Sequence, residues 1–149
     1  MSPRIFVVDV PVRSYEVDFA GVVNNAVFVN YLEHGRMEIF RELGVPWDAW
    51  AARGLTPVIR RLELDYHAPG RLLDRLRVES WVERLGRSSV YLGQRILRGD
   101  ERGEGTLLLE ARVVGVFVGP ELRPVPIPEE LRSRLSEGEI GHRDERTEG

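Results

Sequence analysis

Cysteine and lysine are both missing from this 149-residue chain. Without a thiol there is no disulfide, no thiolate nucleophile and no cysteine-ligated zinc. Without lysine, all 21 cations are arginines, so an anionic ligand must be met by guanidinium groups or backbone amides, and guanidinium suits phosphate well. No stretch approaches the roughly 18 consecutive apolar residues of a membrane span. The opening Met1-Ser2-Pro3-Arg4 carries one basic side chain and then alternates, unlike a signal peptide. A basic excess is also lacking: residues 1–135 balance 19 acids against 19 arginines, which argues against a nucleic-acid binder. Five acids and two arginines in residues 136–149 supply the net charge of −3. The expectation is one cytoplasmic domain over 1–135, followed by an acidic, disordered tail over 136–149.

What is present is a change of period. Ile5 to Arg13 alternates, with Phe6, Val8, Val10 and Val12 on one face, and reads as a strand. Residues 14–24 are irregular. From Asn25 to Leu43 the apolar positions Phe28, Leu32, Gly35, Ile39 and Leu43 recur every three or four residues, the stripe of a helix. Gly44 and Pro46 stop it, and residues 47–53 can add one short helical turn. Strand-like alternation follows over Val58 to His67, Arg75 to Val82, Val90 to Ile96 and Thr106 to Val118, with a polar glycine-rich turn at 99–105 marking a hairpin. Pro124 to Pro128 is expected to close the sheet, and residues 129–135 to form a short helix. One strand, one long helix and a meander predict an α+β domain, a curved antiparallel sheet wrapped around a single helix. One helix covers only part of a sheet face, so association through sheet edges is expected.

Chemistry concentrates in the loop from Arg13 to Ala26. Asp18 lies there, seven residues before the helical period begins. A helix start exposes unpaired N–H groups and the positive end of the macrodipole, which can hold the oxyanion formed when a thioester carbonyl is attacked. A carboxylate beside it can activate water, or attack directly to give an anhydride. The same loop position also suits a turn or capping residue.

This segment resembles the signature of the hotdog-fold acyl-CoA thioesterases, in the branch that includes 4-hydroxybenzoyl-CoA thioesterase. The matching residues are Arg13, Tyr15, Asp18, Gly21, Val22-Val23, Asn24-Asn25-Ala26, Phe28, Glu33 and Arg36. Further matches are Asp65 to Pro69, Asp74 to Val78, Leu85 to Ser89 and Arg123 to Pro128, so the resemblance spans about residues 8 to 135. It implies a hotdog fold with about five or six strands around one long helix. It implies Asp18 as the catalytic carboxylate, and the amides of Gly21, Val22, Val23, Asn24, Asn25 and Ala26 near the thioester carbonyl. Arg87, Ser88 and Ser89 fall where relatives approach CoA. An acyl-CoA substrate, no metal, no organic cofactor, and a dimer or tetramer with sites at the subunit boundary are implied with it. Three positions depart from the pattern: Asn25 where one sub-branch has His, Phe28 where Tyr is usual, and Val23 where a His commonly precedes Asn-Asn.

Other readings remain beside this one. A non-catalytic acyl-CoA-binding hotdog domain would share the fold. A hydratase would need a His near Asp18, and none lies in that loop. There is no Gly-x-Ser-x-Gly segment for a serine hydrolase, and His34 and His67 lack metal-ligand spacing. Glu33 and Arg36 are read as an i, i+3 ion pair rather than as catalytic groups. Arg60, Arg61, Arg75 and Arg77 are read as a solvated sheet face. Pocket depth is expected to depend on Tyr31, Leu32, Met37, Val58 and Tyr66.

Overall fold

The computed structural model describes residues 3–99 and 105–135. The expected tail and the tip of the 99–105 turn lie outside the described residues. Strand β1 (Phe6–Pro11) leads through a 3-10 turn at Ser14–Glu16 into helix α1 (Asn25–Leu43), which is followed by the short α2 (Trp47–Ala52). Four strands then run antiparallel: β2 (Thr56–Tyr66), β3 (Arg75–Leu85), β4 (Ser89–Arg98) and β5 (Thr106–Val118). They form one five-stranded sheet in the order β1-β3-β4-β5-β2, which leaves β1 and β2 as its edges. Residues 129–135 form a last helix, α3. Among the described residues no helix is long and apolar enough to cross a membrane.

Helix α1 forms where its stripe predicts. Asn24 caps its start through Oδ1, which accepts the Ala26 amide at 2.9 Å. Gly44, at φ 63°, ends it in a left-handed turn. The stripe Phe28, Leu32, Gly35 and Ile39 faces the sheet and is buried. Gly35 is required by proximity: a Cβ there would stand 2.7 Å from Val78 Cγ1, so the helix rests against β3 with no room for a side chain. Beneath it, buried Gln94 donates to Leu32 O at 3.0 Å and to Ser80 Oγ at 2.8 Å. Both polar groups are thereby satisfied in the core.

The core has two parts. The first half of α1, with Phe28, Tyr31 and Leu32, packs on Val10, Leu76, Val78 and Ile96. The second half, with Ile39, joins Trp50 of α2, Phe117 of β5, and Leu131 and Leu135 of α3. On the outer sheet face Arg61 pairs with Glu63 at 2.8 Å, and Arg77 lies 3.9 Å from Glu79. This is the solvated face that the arginine alternation predicts. His67 lies just beyond β2, exposed, with Nε2 3.5 Å from Glu110.

Two expectations are corrected. Residues 124–128 form no strand; they make one bridge, Val118 to Pro124, and the sheet has five strands. Prolines at 124, 126 and 128 carry no N–H, so only Val125 and Ile127 can donate. They bond Phe117 O and Arg87 O, each at 2.9 Å, lacing the chain across the sheet end instead of extending it. Nor do Glu33 and Arg36 pair among the described residues. Arg36 turns towards the sheet and donates to Gln94 Oε1 at 3.1 Å, and burial lowers its pKa from the ordinary arginine value despite the nearby Glu33.

Candidate active site

The loop carrying Asp18 is built by a two-residue bridge, Val17 to Val23, closed by the Asp18 amide donating to Val22 O at 2.9 Å. Gly21, at φ 80°, makes the reversal that a side chain would strain. Its amide returns to Asp18 O at 2.9 Å. Asp18 Oδ1 accepts the Ala20 amide at 2.8 Å, so one carboxylate oxygen holds the turn. No partner is recorded for Oδ2 among the described residues, and the side chain is exposed in the single chain. Asp18 is therefore a turn residue with one oxygen to spare, while Asn24 does the capping.

Six backbone positions, Gly21 to Ala26, were expected to offer amides, and the fold narrows that set. Gly21 is bonded as described, Val23 donates to Gly70 O at 2.8 Å, Asn24 to Glu16 O at 3.0 Å, and Ala26 to its cap. Among the described residues the Val22 and Asn25 amides have no acceptor. They are the two donors left at the helix start, where the macrodipole is positive.

Below the loop lies a brace that the sequence pattern did not single out. Buried Glu16 accepts the Arg13 amide at 2.8 Å, the Arg13 guanidinium at 2.7 Å and the Tyr31 hydroxyl at 2.9 Å. With Asn24 bonded to its carbonyl, this residue ties the Asp18 loop to β1 and to α1. Burial pushes its carboxyl up, but the hydrogen bonds from Arg13 and Tyr31 outweigh this and hold it below the ordinary carboxylate value. Burial and the same Glu16 contact push the Tyr31 hydroxyl well above its ordinary value. A depressed folded-state pKa contributes stability above the unfolded value, and that stability is lost as pH falls through the folded one. Glu16→Gln is thus expected to lower unfolding free energy at pH 7 by about 1–3 kcal/mol. It should also flatten the acid-side loss of stability below about pH 4.3. Urea titrations across pH check both, and an unchanged midpoint at neutral pH would refute the brace.

Two expected groups are not brought together within one chain. Val12 N donates to Asp74 O, and Val22 bridges Arg71, so the Asp18 loop sits at the Arg75 end of β3. Arg87, Ser88 and Ser89 lie past its Leu85 end, where Ser88 O accepts the Phe117 amide and Arg87 O the Ile127 amide. A strand of this length is roughly 33 Å long.

A cavity of about 380 Å³ lies at that far end. Its walls come from the middle and second half of α1, Trp47 of α2, the starts of β2 and β4, the end of β5, and α3. Of the five side chains expected to set pocket depth, Met37 lines it. Tyr31 and Leu32 belong to the other half of the core, and Tyr66 stands at the helix start, its hydroxyl donating to Asn25 O at 2.9 Å.

A curved antiparallel sheet with a single long helix on its inner face, entered through a loop bearing a carboxylate, is the arrangement of the hotdog thioesterases, as the segment around Asp18 implied. A family model described as the thioesterase-like superfamily matches residues 12–135, and the chain belongs to that family. It is 33% identical over 128 residues to the chloroplastic acyl-acyl carrier protein thioesterase ATL3 of Arabidopsis thaliana, a match covering 86% of this chain and 66% of that protein. The chain thus spans just under two thirds of that plant relative. It is 33% identical over 124 residues to the acyl-CoA thioester hydrolase YbgC of Escherichia coli O157:H7, covering 81% of this chain and 90% of YbgC. The fold superposes on the dynemicin thioesterase with a TM-score of 0.82 at 26% identity, covering 90% and 96% of the two chains.

Proposed function

We propose that this chain hydrolyses acyl-CoA thioesters in the cytoplasm, and that Asp18 is its catalytic carboxylate. The observation that carries the reading is that, among the described residues, Asp18 has one oxygen without a partner on the same loop that presents the two unaccepted amides of Val22 and Asn25. In this mechanism the amides receive the thioester oxygen and stabilise the negative charge that develops on it. Asp18 takes a proton from water as the water attacks the carbonyl carbon, or attacks that carbon itself to give an anhydride that water then opens. Either route expels CoA as a thiolate, which takes up a proton, and releases the free acid.

The site is completed by a second copy. Strand β2 is an eleven-residue edge with Val58, Ile59 and Tyr66 exposed, a row of unpaired backbone groups ready for another strand. Helix α1 starts at the Tyr66 end of β2, and the cavity opens at its Thr56–Ile59 end. Antiparallel pairing of two β2 edges about a two-fold axis lays each helix start beside the other chain's cavity. The partner's Asp18 then approaches Arg87, Ser88, Ser89 and the cavity of this chain, which no single chain can arrange. Two such dimers can pair again into a tetramer.

The test is free-thiol release from short, long and aromatic acyl-CoA esters, with mass in solution measured on the same sample. Release of CoA by a species at least twice the 17.0 kDa chain mass is expected. Binding without thiol release would identify a non-catalytic domain, and an active 17.0 kDa monomer would overturn the shared site.

A further inference from the structure

The cavity runs over a strand position that has no side chain, Gly115. Val90, Gly115 and Ile59 are register partners across β4, β5 and β2, so they stand in one row on the sheet face that α1 covers. Val90 and Ile59 both line the cavity, with Gly115 between them. A Cβ built on Gly115 meets nothing closer than Val58 O at 3.7 Å. Glycine in a strand interior weakens the strand and gives up packing, so an empty slot here, in an otherwise close-packed core, needs an occupant.

The walls indicate its chemistry. Phe40, Trp47, Phe117, Leu131 and Leu135 make the interior apolar, and charge enters only along one wall, through Glu33 and Arg36 of α1. An apolar slot that runs from the sheet edge at Ile59 to the residues of α3 suits a flexible hydrocarbon chain with its polar end left at the edge. A methylene fills about the volume of a water's share of the liquid, roughly 30 Å³. The 380 Å³ cavity therefore takes a chain on the order of ten carbons.

We infer that Gly115 is the specificity-determining residue of this pocket, and that the substrate class is medium-chain aliphatic acyl thioesters rather than short-chain ones. The inference rests on the proposed thioesterase reading for its substrate, but not for its slot. Filling the slot is tolerable to the fold, since Val favours strands and the added Cβ has ordinary contacts.

Turnover of decanoyl-CoA and butyryl-CoA is measured by thiol release for the wild-type chain, Gly115→Ala and Gly115→Val. Dissociation constants of the unreactive thioethers S-decyl-CoA and S-butyl-CoA are measured on the same proteins, with thermal melting as the fold control. Gly115→Val is expected to lower kcat/KM for decanoyl-CoA, and to raise Kd for S-decyl-CoA, by at least about twentyfold, with Gly115→Ala intermediate. The four-carbon compounds should change less than about threefold. Equal losses for both chain lengths, or none in a folded variant, overturn the inference. A wild-type chain that binds S-decyl-CoA in this Gly115-dependent way, yet releases no thiol, leaves the slot standing and removes the hydrolase reading alone.

Discussion

Asp18→Asn is expected to keep the fold and to cut thioester turnover at least about a hundredfold. The reason for keeping the fold is local: the asparagine carbonyl oxygen can still accept the Ala20 amide that Asp18 Oδ1 now accepts at 2.8 Å. The turn, the Gly21 reversal and the bridge between Val17 and Val23 therefore persist. What disappears is the charge on the second oxygen, and with it both the base and the nucleophile. KM should change little, because the amides of Val22 and Asn25 and the apolar walls of the cavity are untouched. The comparison with Asp18→Ala is informative, since that variant loses the turn as well and should melt lower. Near-normal kcat in the asparagine variant would remove the proposed chemistry and leave the fold assignment as it stands.

The second large effect is structural. Trp50→Ala is expected to destabilise the protein by about 3–5 kcal/mol, the range for truncating a large buried aromatic side chain. Trp50 is 1% exposed. Its ring meets Phe117 edge-on at a centroid distance of 5.9 Å, and Nε1 donates to Glu130 of α3 at 3.1 Å. One side chain thus joins α2, β5 and α3, three walls around the cavity. Its removal leaves a void there and deprives Glu130 of a donor. Urea unfolding followed by circular dichroism measures the loss. A cost under about 1 kcal/mol would mean that α3 holds its place without this anchor.

Much of this architecture was legible in the sequence because it is written in periods. The stripe of Phe28, Leu32, Gly35 and Ile39 fixed α1 with its ends at Asn24 and Gly44, and alternation located all five strands. Periodicity reports which face is buried and is silent on what covers it. Tyr31 and Leu32 look like pocket residues for that reason, although they pack in the other half of the core from the cavity. The run Pro124 to Pro128 alternates like a strand, yet its prolines lack the donors a ladder needs. Glu16 was missed because a single acid in an irregular loop leaves no periodic signal. Its role exists only once Arg13 and Tyr31 are folded against it. Gly115 was equally silent: its meaning depends on standing between Val90 and Ile59, and that row follows from strand pairing, which no local pattern specifies. Asp18 itself was found through motif resemblance rather than period, and the fold adds which of the neighbouring amides are already in use.

Helix α3 makes one end of the molecule depend on the last seven described residues. Arg134 donates to the carbonyls of Leu43 and Gly44 at 2.7 and 2.9 Å, locking the C-terminal end of α1, and the Arg132 guanidinium bonds Gly86 O. Leu131 and Leu135 complete the buried cluster of Ile39, Trp50 and Phe117 and wall one side of the cavity. The hydrogen bonds that shape the Asp18 loop come from residues 12–24 and 70–74 and owe nothing to this helix. Truncation before residue 129 would therefore unroof the cavity while sparing that loop.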